Sequence, residues 1–174
     1  MNTSTSHRGK IRVGVLRGGP SQEYDISLKT GAHVLKNIPE GYEPVDIFIS
    51  RNGEWHVGGR IKTPDKIIPH IDVVFNALHG EYGEDGKVQN ILQTFGTPFT
   101  GSRSFSSALG MNKNLSKALF RYHNLKTPEY IVLHPKDNTY RSLISIFQSF
   151  PQPSVIKPVS GRQVPTQIYR SRQQ

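Results

Sequence analysis

The chain has 174 residues, a hydrophobic share of 34%, a formal net charge of +9 and no cysteine. That length holds one ordinary domain, or one domain and part of another. The lack of cysteine excludes disulfides and thiolate metal sites, and no apolar run is long enough to cross a bilayer.

Residues 1–10 lack the apolar core of a secretory signal and read as a disordered leader, with a cytoplasmic location expected. Ile11-Arg12-Val13-Gly14-Val15-Leu16 alternates and is β-rich, which predicts a strand. Arg17-Gly18-Gly19-Pro20-Ser21 breaks it, and Leu28, Gly31, Ala32 and Leu35 then mark an amphipathic helix that ends at Pro39-Glu40-Gly41. Tyr42–Ser50 predicts a second strand. An Asn52-Gly53 turn returns the chain as a short hairpin strand, Trp55–Val57, and residues 58–70 read as loop. Asp72–Phe75 is the third main strand, and a helix is expected from about Glu84 to Phe95. Thr97–Thr100 reads as a short strand, residues 102–109 as one or two helical turns, and a helix begins near Asn112 with Leu115, Ala118, Leu119 and Tyr122 on its stripe.

This β-α-β-β-α-β-α-α order with short connections predicts an α/β fold with a parallel, doubly wound, Rossmann-like sheet. Residues 11–123 form that first domain. Residues 124–161 then read as the opening of a second: a strand at Glu129–Leu133, a helical stripe at Leu143, Ile146, Phe147 and Phe150, and a strand at Pro153–Pro158. Residues 162–174 carry no acid and no periodicity, and are expected to be unstructured.

The basic excess concentrates in acid-free stretches, 86–128 and beyond Asp137. Such stretches attract anions, nucleotides among them. The chain has neither zinc-finger spacing nor an RNP-type aromatic pattern, so a nucleic-acid partner is not expected and solvated helix faces account for most of these lysines.

Two loops carry the chemistry. His79-Gly80-Glu81-Tyr82-Gly83-Glu84-Asp85-Gly86 joins a strand to a helix, with a histidine, three carboxylates and three glycines in eight residues. In open α/β sheets such a loop lies at the carboxyl edge, where ligands bind. Gly18-Gly19-Pro20-Ser21-Gln22-Glu23 also joins a strand to a helix. Its spacing is not that of a dinucleotide fingerprint, and taken alone it reads as a tight turn capped by Ser21.

Taken together these segments resemble the D-alanine–D-alanine ligases. Gly18 through Ser27 is similar to G-G-x-S-x-E-x-x-x-S, and the His79 loop to H-G-x-x-G-E-D-G. Ser107-Ala108-Leu109-Gly110-Met111-Asn112-Lys113 is similar to S-A-x-x-M-D/N-K, and Pro153–Pro158 to the P-x-[IV]-[IV]-K-P strand of ATP-grasp enzymes. The resemblance covers residues 11–161. It implies a pre-ATP-grasp domain followed by part of an ATP-grasp domain, and ATP- and Mg2+-dependent joining of two D-alanines for peptidoglycan synthesis. It gives Glu23 and His79 catalytic positions at the first D-alanine. Ser27 and Gly80 become substrate-binding, and Lys113 and Lys157 bind the nucleotide phosphates. A homodimer with D-alanine and ATP as partners is expected. Tyr24 and Asn90 stand where the family usually has other residues. After Gly161 the match stops: the Gly/Ser phosphate loop, R-x-D-F and E-x-N-x-x-P-G, which hold the metal-binding acids, have no counterpart, so no metal ligand is assigned. A frameshift or early end, or a shortened homologue, is expected from this, with the chain inactive alone. A non-catalytic dimerising or binding fragment, or a ligase using another second substrate such as D-lactate, are the alternatives.

Overall fold

A computed structural model describes residues 9–134, 139–151, 154–161 and 168–169. The chain divides into two compact units, 1–108 and 109–174, rather than at the expected 123/124.

In the first unit, β1 (Ile11–Gly18) lies between β2 (Tyr42–Ile49) and β5 (Val73–Asn76), parallel to both, with Gly14 opposite Val45 and Val74. The hairpin strands β3 (Trp55–Val57) and β4 (Arg60–Ile61) extend the sheet antiparallel beyond β2, giving the order β4-β3-β2-β1-β5. The sheet is therefore mainly parallel, as the β-α-β order predicts.

Helix α1 (Tyr24–Asn37) crosses from β1 to β2. Its buried residues are Ser27 and Gly31, while Ala32, expected on the inner stripe, is exposed. The helix sits so close to β1 that a Cβ at Gly31 would stand 2.4 Å from Arg17 Cβ. A small, partly polar stripe replaces the apolar one because the helix must approach the strand this closely.

The segment expected to be loop at residues 58–70 contains β4, the short helix α2 (Pro64–Ile67) and a 3-10 turn at Ile68–His70. Thr63-Pro64-Asp65 is a helix-start signal, with proline in the first helical turn. The segment contributes Ile67 and Ile68 to a core with Leu16, Ile47, Ile49, Trp55, Ile71, Val74, Leu78, Val88 and Leu92. Its contact partners, rather than its own periodicity, make it ordered.

Helix α3 runs Lys87–Thr94, starting three residues later than expected. Gly86 stands before it at φ 95°, a left-handed conformation that glycine reaches without strain. Thr97–Thr100 is not a strand: it makes an isolated parallel bridge, Val74 to Phe99. Helix α4 spans Ser104–Met111.

In the second unit, α5 (Lys113–Tyr122) is capped by Asn112, whose Oδ1 accepts from the N–H groups of Asn114 and Leu115. The strand expected at Glu129–Leu133 does not form. Instead the stretch is held by side chains of α5. Lys117 Nζ donates to Thr127 Oγ1 at 2.9 Å and to the Pro128 carbonyl at 2.8 Å, and Lys117 and Arg121 lie against the Tyr130 ring. Cation–π contacts and local bonds stand where ladder bonds were expected. Helix α6 covers Tyr140–Ser149. The strand expected over Pro153–Pro158 is shortened to β6, Ser154–Val155, with Pro153 itself outside the described residues. It pairs antiparallel with β7, Ile168–Tyr169. The expectation of an unstructured tail is thus corrected at Ile168–Tyr169, a β-prone pair with an edge to join. The other residues of 162–174, and the leader residues 1–8, lie outside the described set.

Candidate functional site

The first unit brings its two loops together at the carboxyl ends of β1 and β5. The hinge of the arrangement is Ser21, which is buried. Its Oγ donates to the His79 carbonyl at 2.6 Å and accepts from the Glu23 N–H at 3.0 Å. Ser21 therefore fastens the Gly18–Glu23 loop to the His79 loop, in addition to shaping its own turn.

Glu23 is half-buried and stands just before α1, where its carbonyl accepts from the Ser27 N–H. Gly80 lies beside it: a Cβ on Gly80 would stand 3.4 Å from Ser21 Oγ and 3.8 Å from Glu23 Cδ. The Gly80 N–H donates to Glu84 Oε2 at 3.1 Å, and the Glu84 N–H returns to the Gly80 carbonyl at 2.8 Å. The His79 ring is bounded on both sides. Thr30 Oγ1 of α1 lies 3.0 Å from Nε2, and Glu84 Oε1 lies 3.9 Å from Nδ1. Glu23, His79 and Gly80 thus share one cluster.

Ser27, expected to touch substrate, occupies a different position. It is 0% exposed, accepts from the Gly18 N–H at 2.8 Å and donates to the Ala77 carbonyl at 2.9 Å. Both ends of the hydroxyl are committed to backbone, so it clamps the two loops from beneath. Thr30, Ser21 and Glu84 were not singled out as site residues. A signal for Thr30 existed in the sequence: Glu23, Ser27 and Thr30 are spaced by four and three, one face of a helix.

The rest of the His79 loop is a rigid turn. The Gly83 carbonyl accepts from Asn76 Nδ2 and Gln89 Nε2, at 2.8 and 2.7 Å. Tyr82 is held at φ 69°, uncommon for a bulky residue, with its hydroxyl accepting from the indole N–H of Trp55. Burial pushes the Tyr82 hydroxyl above its ordinary pKa. Burial opposes ionisation of Asp85, yet the N–H groups of Tyr82 and Lys87 and the Lys87 ammonium hold its carboxyl below the usual range. Lys87 is raised, chiefly by its bond to Glu81. These acids pair with lysine and backbone, and among the described residues no group of three or more potential ligands could hold a metal ion.

Lys113 and Lys157 belong to the second unit. Lys113 Nζ donates to the Gly161 carbonyl at 2.5 Å, and its N–H donates to the Val159 carbonyl. Lys157 is exposed just beyond β6.

The fold and these loops define a Rossmann-like α/β domain whose two motif loops meet at the carboxyl edge of its sheet, the edge at which open α/β sheets bind ligands. A family profile described as "D-ala D-ala ligase N-terminus" matches residues 12–69 and 61–102. The chain belongs to the D-alanine–D-alanine ligase family. It is 37% identical over 153 residues to the D-alanine–D-alanine ligase of Bacillus anthracis, covering 87% of this chain and 46% of that protein. Among solved structures it is similar to the D-alanine–D-alanine ligase of Coxiella burnetii, with a TM-score of 0.76 and 25% identity over 93% of this chain and 55% of that one. It is also similar to the Bacillus anthracis enzyme complexed with ATP, with a TM-score of 0.67 and 35% identity over 87% and 48% of the two chains. The chain spans about half the length of the curated relatives it matches. No helix among the described residues is long and apolar enough to cross a membrane.

Proposed function

We propose that this chain is the D-alanine-recognising part of an ATP-dependent ligase that joins two D-alanines. The observation that carries the reading is the Ser21 bridge, which fastens the loop that carries Glu23 to the loop that carries His79 and Gly80, with the Glu23 carboxyl beside Gly80. An amino acid presents an ammonium and a carboxylate a few ångströms apart, and Glu23 and His79 are the matching pair. Glu23 holds the ammonium by a charge-assisted hydrogen bond, and His79 faces the carboxyl group. Gly80, lacking a side chain, leaves the approach to Ser21 and Glu23 unobstructed.

ATP, when bound, supplies the phosphoryl group that turns an unreactive carboxylate into an acyl phosphate open to attack by the second amine. Lys113 and Lys157 have the chemistry to hold its phosphates, as fixed positive charges. Mg2+ is proposed from the family, and the described residues offer it no ligand set. A homodimer and a cytoplasmic location accompany the reading.

Calorimetric titration of the chain with D-alanine, against L-alanine as control, tests it. The wild type binds D-alanine, and Glu23→Gln weakens binding by about 1.5–3 kcal/mol, the worth of a hydrogen bond to a charged group. Joined to the C-terminal half of a relative, the chain yields D-alanyl-D-alanine from ATP and D-alanine. Equal binding by wild type and Glu23→Gln, or no preference for the D-enantiomer, refutes the reading.

A further inference from the structure

Thr30 lies one helical turn beyond Ile26 on α1 and makes two contacts with its one hydroxyl. Oγ1 is 3.1 Å from the Ile26 carbonyl, to which it donates, and 3.0 Å from His79 Nε2. A threonine hydroxyl has one hydrogen and two lone pairs. Threonine within a helix commonly gives that hydrogen to the carbonyl four residues back. With the hydrogen on the Ile26 carbonyl, the oxygen can only accept from the ring, so Nε2 carries the N–H. In the reverse arrangement Thr30 donates to Nε2 and the ring hydrogen moves to Nδ1. There Glu84 Oε1 stands at 3.9 Å, beyond hydrogen-bonding distance. The first arrangement satisfies every group at bonding distance.

We propose that Thr30 is a positioning residue that fixes His79 as the Nε2–H tautomer and turns Nδ1 toward Glu84 and the ligand cluster. The His79 main chain is pinned at the same time by Ser21. Ring and backbone are thus both set from the α1 side, and the ring cannot flip without losing the Thr30 bond. The consequence for binding rests on the D-alanine reading above. Toward a carboxylate, Nδ1 is a donor only in the protonated ring, with Glu84 as the nearby counter-charge. A neutral ring presents a lone pair there instead.

The test is long-range 1H–15N spectroscopy of the 15N-labelled chain at pH 8, with the His79 signals assigned by their absence in His79→Asn. The wild type is expected to show an N–H-type Nε2 and a bare Nδ1. Thr30→Val, which keeps the shape and removes the hydroxyl, shifts both nitrogens toward averaged tautomers; Thr30→Ser restores the wild-type pattern. A hydrogen on Nδ1 in the wild type overturns the proposal, as does a Thr30→Val spectrum that matches wild type. The wild-type tautomer is decisive whether or not Thr30→Val folds. If the wild type binds no D-alanine, the substrate reading fails while the ring signals still judge Thr30.

Discussion

Removing the Ser27 hydroxyl separates a clamp from a substrate contact. Ser27→Ala leaves the Gly18 N–H and the Ala77 carbonyl without their 2.8 and 2.9 Å partner, in a position with no access to water. A buried polar group that loses its partner costs about 1–3 kcal/mol. The carbonyl has a second lone pair and loses less, so the pair together costs about 2–4 kcal/mol. With a urea m-value of about 2 kcal/mol/M, the unfolding midpoint falls by about 1–2 M. Trp55 is the sole tryptophan and is 3% exposed in the core of the first unit, so its fluorescence reports on that unit's unfolding. Ser106→Ala, at an exposed position on α4, serves as the control with an unchanged midpoint. Unfolding of Ser27→Ala within about 0.3 M of wild type, with a loss of D-alanine affinity instead, refutes the clamp.

Two other outcomes follow from the same packing and charge arguments. Gly31→Ala gains up to about 1 kcal/mol of helix propensity but drives a methyl to within 2.4 Å of Arg17 Cβ. Overpacking of this kind costs about 1–3 kcal/mol; a lower melting temperature in a thermal scan is expected, and a higher one contradicts the close helix–strand approach. The folded Asp85 carboxyl titrates below its unfolded value of about 3.9, so its ionised form favours folding above that pH, and this contribution is lost as pH falls through the folded value. Urea midpoints between pH 2.5 and 7 should fall less steeply below pH 4 in Asp85→Asn than in wild type, and parallel curves refute the assignment.

Period-2 and period-3.6 patterns were enough to place β1, α1, β2 and β5, although β1 is buried on both faces and the inner face of α1 carries Ser27 and Gly31 rather than the apolar stripe. The chemistry of the paired loop motifs was legible only through their resemblance to the family's motifs, since the Gly18–Glu23 loop taken alone reads as a capped tight turn. Residues 58–70 were not legible, since a four-residue helix and a two-residue strand are too short for any period to register. Their order comes from Ile67 and Ile68 reaching a core made by distant strands. Nor could the sequence tell Ser27 from a ligand contact. One hydroxyl in a helix reads the same whether it meets solvent, substrate or two backbone groups, and only the approach of β1 and β5 beneath α1 decides which. The same holds for Thr30 and His79, which are 49 residues apart in the chain. The sequence determined which groups exist and which loops carry them; which side of the imidazole lies against Thr30 was decided by packing across the sheet.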